Sequence, residues 1–190
     1  MFQFRKQVRI LALLFVLFIA LTWNLNQPVV AYYTTVGTAT NVVTSGKIEL
    51  VIHETTADGS AFPAEGVRVL PGDIISKVVK IENHCTHPFW LRVKLMDGVT
   101  NEALSSEECF DIDINQTMWT LHEDGWLYYA EPLEPGQFSA PVFEQVRIVG
   151  EKVDNSYIGH TLTLTVSAQA VQSENNPADH PWDVSGWPEV

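Results

Sequence analysis

Six histidines and two cysteines are the side chains best suited to hold a metal or to carry nucleophilic chemistry. The histidines are His53, His84, His87, His122, His160 and His180. A zinc peptidase sets two ligands on one helix face with His-Glu-x-x-His, and no such run occurs. His84-Cys85-Thr86-His87 carries donors that could ligate a metal, but its spacing does not suit a helix face and Pro88 follows it. It reads as a polar loop between strands. His122-Glu123-Asp124 falls on a hairpin tip and reads as a solvated turn, and His53-Glu54 ends a strand. Gly150-Glu151 with Ser156 makes no nucleophile elbow. No catalytic residue, metal ligand or cofactor is therefore expected, and catalysis is the weaker reading.

Two further groups could act outside a cell. Cys85 and Cys109 could form a disulfide closing about 25 residues, worth about 3 kcal/mol in the chain-entropy model. Two separate thiols are the alternative. The rings of Trp119, Trp126, Tyr128 and Tyr129 could stack on sugars. The favoured reading divides them between core positions and cross-strand pairs.

The elements that must position these groups are strands. Apolar residues alternate with period two in almost every periodic segment. Ile48, Leu50 and Ile52 share a face, and 67–70 makes a short strand stopped by Pro71-Gly72. Residues 74–83 read as one strand with Ile75, Val79 and Ile81 on one side. In 89–96, Phe89, Leu91, Val93 and Leu95 oppose Arg92 and Lys94, and Asp97-Gly98 is expected to end the strand. Residues 100–108 are polar and suit a loop or a single helical turn. Asp124-Gly125 joins 118–123 to 126–130 in what should be a type I′ hairpin, whose central residues both need φ > 0. Residues 141–149 form another strand. In 161–171, Leu162, Leu164, Val166, Ala168 and Ala170 face inward. The Pro- and Asn-rich tail, 173–190, should be poorly ordered. The pattern is all-β, an antiparallel sandwich or jelly roll.

The N-terminus has the layout of a secretory signal. Arg5, Lys6 and Arg9 precede twelve apolar residues, Ile10 to Leu21, and a small-residue site at Val29 and Ala31. A spanning helix needs roughly 20 residues, so twelve read as a signal rather than an anchor. Cleavage between Ala31 and Tyr32 would leave 159 of the 190 residues. The signal takes 3 of 11 basic residues and none of 23 acidic ones, leaving 8 against 23, a net charge of −15. That charge argues against nucleic acid and anionic membranes as partners.

Ordered motifs go further. Ala31-Tyr32-Tyr33-Thr34 is followed by Thr44-Ser45-Gly46-Lys47-Ile48-Glu49-Leu50, Leu70-Pro71-Gly72-Asp73 and Ile81-Glu82-Asn83. Then come Asp124-Gly125-Trp126-Leu127-Tyr128-Tyr129, Leu133-Glu134-Pro135-Gly136-Gln137, Gly159-His160-Thr161-Leu162-Thr163-Leu164 and Ala168-Gln169-Ala170-Val171-Gln172. In this order and spacing the chain resembles the TasA/camelysin family of secreted bacterial proteins. The resemblance implies a jelly-roll sandwich over 32–172 and a signal cut by a dedicated signal peptidase. It also implies a cell-surface or biofilm-matrix protein, in some members assembled into fibres by an exposed N-terminal strand inserting into the next subunit. Some relatives are catalogued as metallopeptidases, so a metal-dependent peptidase is the alternative; a carbohydrate-binding surface module is another. Tyr32, Tyr33, Thr34, Thr35 and Val36 open a stretch, 32–43, that is rich in β-branched and aromatic residues and carries no charge or proline. Nothing in it discourages strand pairing, so it suits either a donor strand or the first strand of its own domain. The expected partners are the signal peptidase, further copies of the chain, and other matrix proteins or polysaccharide.

Overall fold

The computed structural model describes residues 31–34, 37–39 and 48–188. The expected signal segment up to residue 30, Thr35, Val36, 40–47 and 189–190 lie outside the described residues. Among the described residues twelve strands follow one another: β1 (Ala31–Thr34), β2 (Gly37–Ala39), β3 (Leu50–Thr55), β4 (Val67–Val69), β5 (Ile74–Ser76), β6 (Val78–Asn83), β7 (Phe89–Val99), β8 (Phe110–Ile112), β9 (Trp119–Leu121), β10 (Leu127–Tyr129), β11 (Gln145–Ile148) and β12 (Thr161–Gln172). They form an all-β sandwich. One layer is a seven-stranded sheet in the order β4-β1-β12-β7-β10-β9, with β2 also on β12. The other is built from β5-β11-β8 and β3-β6. Backbone bonds join these two smaller sheets, because 136–144 runs beside β6: Val79 N–H donates to Phe143 O at 3.1 Å and Val142 N–H to Val79 O at 2.8 Å.

Alternation explains the core. Leu91 and Val93 of β7, Leu162, Leu164, Val166, Ala168 and Ala170 of β12, and Val79 and Ile81 of β6 meet between the layers. β7 and β12 pair antiparallel through eleven residues, Phe89↔Gln172 to Val99↔Leu162.

Several expectations are corrected. β7 does not stop at Asp97-Gly98 but runs to Val99. Gly98 serves close approach, since a Cβ there would lie 2.7 Å from Thr163 Oγ1. Residues 74–83 are two strands, split at Lys77, because β5 pairs with β11 whereas β6 pairs with β3. The turn at Asp124-Gly125 is not type I′. Among the described residues only Glu108 and Asn175 are non-glycines with positive φ, so Asp124 is not in the left-handed region. Gly125 N–H donates to His122 O, Gly125 has φ 78°, and His122 N–H donates to Trp126 O. This is a three-residue loop closed by a left-handed glycine, and Trp126 N–H donates to Asp124 Oδ1 at 3.1 Å. Residues 100–108 form turns; the described short 3-10 segments are Asn155–Tyr157 and Pro181–Asp183. The tail is also placed: 173–188 returns over the seven-stranded sheet, its Val184 buried against Trp90 and Val171.

Lys77 shares the inward parity of Ile75 and Val79, so alternation drives its side chain into the interior. It is fully buried, with Nζ 3.0 Å from Glu54 Oε1 and 4.7 Å from the Phe62 ring. Burial presses the ammonium down to about 8, and the Glu54 carboxylate pulls it partly back.

Two outcomes follow. Gly98→Ala should cost about 1–2 kcal/mol through overpacking, and Thr163→Ala in the same chain should restore most of it. Urea midpoints check this, and an unchanged midpoint for Gly98→Ala overturns it. For Lys77, the unfolded chain binds the proton more strongly between pH 8 and 10.5, so folding stability from this group rises with pH across that window. Relative to Lys77→Met, the wild-type protein should therefore gain stability from pH 8 to pH 10.5. A flat difference between the two denaturation series refutes the assignment.

Candidate functional site

The N-terminal strand has a defined seat. β12 is flanked by β7 on one side, so its other edge must find ladder partners elsewhere. β1 supplies them in parallel register, Tyr32↔Thr161, Tyr33↔Leu162 and Thr34↔Thr163. β2 continues along the same edge, Gly37↔Val166 to Ala39↔Ala168. On its far side β1 pairs antiparallel with β4, Ala31↔Val69 to Tyr33↔Val67. Of the two roles the composition allows, the structure seats this strand in its own domain. Removing it would leave the β12 edge and β4 both open, a slot one strand wide. The expected cleavage bond, between Ala31 and Tyr32, lies within β1.

The histidines do not gather at one point. His53 Nε2 lies 2.7 Å and His84 Nε2 3.1 Å from the same oxygen, Glu82 Oε2. Burial pushes the Glu82 carboxyl up, but hydrogen bonds from His53 and His84 outweigh it and hold the carboxyl below its ordinary value. The His53 ring also meets Phe138 edge-on at 5.1 Å. His87 turns the other way, its Nδ1 3.3 Å from Glu174 Oε2. The donors of 84–87 thus bind two different carboxylates. His160 Nε2 pairs with Asn101 Nδ2 at 3.3 Å. Among the described residues no group of three His, Cys, Asp or Glu side chains is arranged to hold a metal.

The Cys85–Cys109 disulfide is not formed; both residues are thiols. Local bonding holds each sulfur in its own place. Cys85 Sγ accepts from Glu49 N–H at 3.0 Å and faces Glu49 O at 3.3 Å. Its backbone N–H donates to Asn83 Oδ1 at 2.7 Å. Cys109 is buried at the entry to β8, donating to Ser105 O at 3.4 Å. Burial pushes its thiol up, although a hydrogen bond with Tyr157 works against this.

The four candidate sugar-stacking rings are all buried. Trp119 and Tyr129 pack together inside, centroids 4.9 Å apart. Trp126 and Tyr128 lie on the outer face beneath the tail, around Arg92. The Arg92 guanidinium sits 4.2 Å from the Trp126 ring and 4.6 Å from that of Trp187. Its Nε and Nη2 donate to Gln169 Oε1 at 2.9 and 2.6 Å, and its Nη1 to Tyr128 Oη at 3.1 Å. Tyr128 Oη in turn donates to Asp124 Oδ2 at 2.7 Å. Burial and the Asp124 hydrogen bond both push the Tyr128 phenol up. Sequence reasoning missed this cluster; the one available signal was Trp90, Arg92 and Lys94 together on the outward side of β7.

Comparison of the chain with protein-family models, with curated proteins and with solved structures found no match in any of the three.

If the cysteines are separate thiols, alkylation of the unfolded protein without reductant should modify both. An intact mass lighter by two hydrogens, with no alkylation, overturns this.

Proposed function

We propose that this chain is a secreted structural protein of the bacterial cell surface or biofilm matrix, and that it assembles by exchanging its N-terminal strand between subunits. The observation that carries the reading is the seat of β1 and β2 on the β12 edge. A strand held by main-chain pairing to an edge of its own sheet makes the same bonds to that edge on another copy. The signal-like first 31 residues, the net charge of −15 after their removal and the ordered TasA/camelysin-like motifs support export and a surface role. The signal peptidase is the partner during export, and other matrix proteins or polysaccharide are partners afterwards.

The mechanism has an order of events. The bond between Ala31 and Tyr32 lies within β1, and cutting it frees the strand from the signal segment. Until then the signal segment holds the strand at the membrane. Once released, the strand enters its own slot or that of a neighbour. Exchange in one direction is heterologous and does not close unless the rotation forms a ring, so fibres are the product.

The mature chain from Tyr32 should form fibres visible by electron microscopy and light scattering. Deleting Tyr32 to Val36, or Thr35→Pro, since proline cannot donate to a ladder, should abolish them. A synthetic peptide of residues 32–43 should lower the scattering of the wild-type chain by capping open slots, a readout independent of whether the deleted chain folds. Fibres that persist in the deletion variant, or that ignore the peptide, overturn the mechanism. Chelator-sensitive cleavage of casein by the purified chain would favour the peptidase alternative.

A further inference from the structure

The side of the sandwich away from β1 is open. Among the described residues β9 ends its sheet and pairs only with β10, and β8 ends its sheet and pairs only with β11. An apolar trough lies between these two edges. Leu95, Leu121 and Leu127 line it from one layer and Phe110, Ile112 and Ile114 from the other, around a hollow of about 310 Å³. A second hollow of about 340 Å³ continues it along Trp119, Thr120 and Leu121. Leu121 marks the gap. It stands opposite Leu127, so the two share a face. Leu127 is 4 % exposed and Leu121 67 %, because no strand lies beyond β9 to cover it. The main chain is turned the same way. Ala130 N–H donates to Met118 O and His122 N–H to Trp126 O. Antiparallel alternation then bonds Thr120 to Tyr128 and points the N–H and C=O of Leu121 away from β10. No charge or proline blunts this edge, which reads Met118-Trp119-Thr120-Leu121.

The rim of the trough is acidic. Asp97 follows Leu95 on the same side of β7, Asp113 stands between Ile112 and Ile114, and Glu123 lies on the hairpin just past Leu121; all three are exposed. The base beside β8 is already taken, since Arg147 donates to Asp111 Oδ2 at 3.1 and 2.8 Å. We infer that this trough receives an extended segment of another protein, one that alternates apolar side chains with Lys or Arg. Added to β9 as a strand, such a segment bonds to the main chain of Leu121, and its alternate side chains reach the apolar lining. Its cations meet the carboxylates of the rim, where an acidic segment would meet like charge. The chain's own stretch 32–43 carries no cation for that rim. The inference goes beyond the exchange of β1 and does not rest on it, because β1 and β9 lie toward opposite ends of the seven-stranded sheet.

Fluorescent synthetic peptides of about eight residues, the length of one strand, are the probes. One alternates valine with lysine, one valine with glutamate and one glycine with lysine. Titrated with the mature chain and followed by anisotropy, the valine–lysine peptide should bind at least about tenfold more tightly than either of the others. Leu121→Lys, which sets a cation in the middle of the trough, should weaken that binding by about tenfold or more. Glu123→Lys, on the exposed hairpin, should weaken it by about threefold. Far-UV circular dichroism matching the wild type establishes that both variants are folded. Both should still form fibres, so failure here is read separately from failure of strand exchange. A valine–lysine peptide that stays unbound, or that binds folded Leu121→Lys as tightly as the wild type, overturns the inference. So does equal binding of the glycine–lysine peptide, because net charge alone would then account for the attraction.

Discussion

A strand inside a sheet needs a ladder on both of its edges, and β12 is where this constraint governs the molecule. Its inward residues Leu162, Leu164, Val166, Ala168 and Ala170 are almost wholly buried. The strand therefore cannot move without opening the core. β7 satisfies one edge along nearly the full length. The other edge is satisfied by two short strands from the beginning of the chain, held in parallel pairing. Parallel ladders need a long connection, and here that connection is most of the protein. The N-terminal strand is thus topologically remote from its seat although it completes the sheet.

Buried polar groups organise the rest, each with a partner that costs little to supply. Asn83 is buried where β6 ends, yet its Nδ2 donates to Leu133 O at 2.7 Å and to His87 O at 3.1 Å. Its Oδ1 accepts from Cys85 N–H. One side chain thereby ties the turn before β7 to the loop after β10. Lys77 and Arg92 are the charged counterparts. Lys77 faces the interior and is answered by Glu54. Arg92 faces outward and is answered by Gln169, Tyr128 and two indole rings. A buried charge stripped of its partner is strongly destabilising, so these residues also fix which loops and tails must be present. The tail over Arg92 belongs to this logic, since without it a guanidinium and several rings would lie open.

Much of the fold was legible in the sequence. Period-two alternation in 89–95 and 161–171 marked the two longest strands and the faces they bury. It depends only on neighbours two residues apart, which the chain specifies locally. The same parity places Lys77 inward, an inference the sequence allowed, although the break it marks between β5 and β6 was not visible. Two strands separate there because different partners, β11 and β3, pull on either side. Asp97-Gly98 looked like a turn because Gly usually marks one. The close approach of Thr163 that requires it comes from a residue 65 positions away in sequence.

The sequence by itself determined the strand class, the inward faces of the long strands and the acidic character. Those properties follow from local periodicity, backbone preference and summed charge. Only the tertiary structure decided that β1 and β2 lie parallel on β12 and that Cys85 and Cys109 bind separate backbone partners. It alone decided that His84 and His87 point to different carboxylates and that the tail covers Arg92. Each of these is a meeting of residues far apart in the chain. Composition can show that two such groups are suited to each other, but only the packed core sets which of them come within reach.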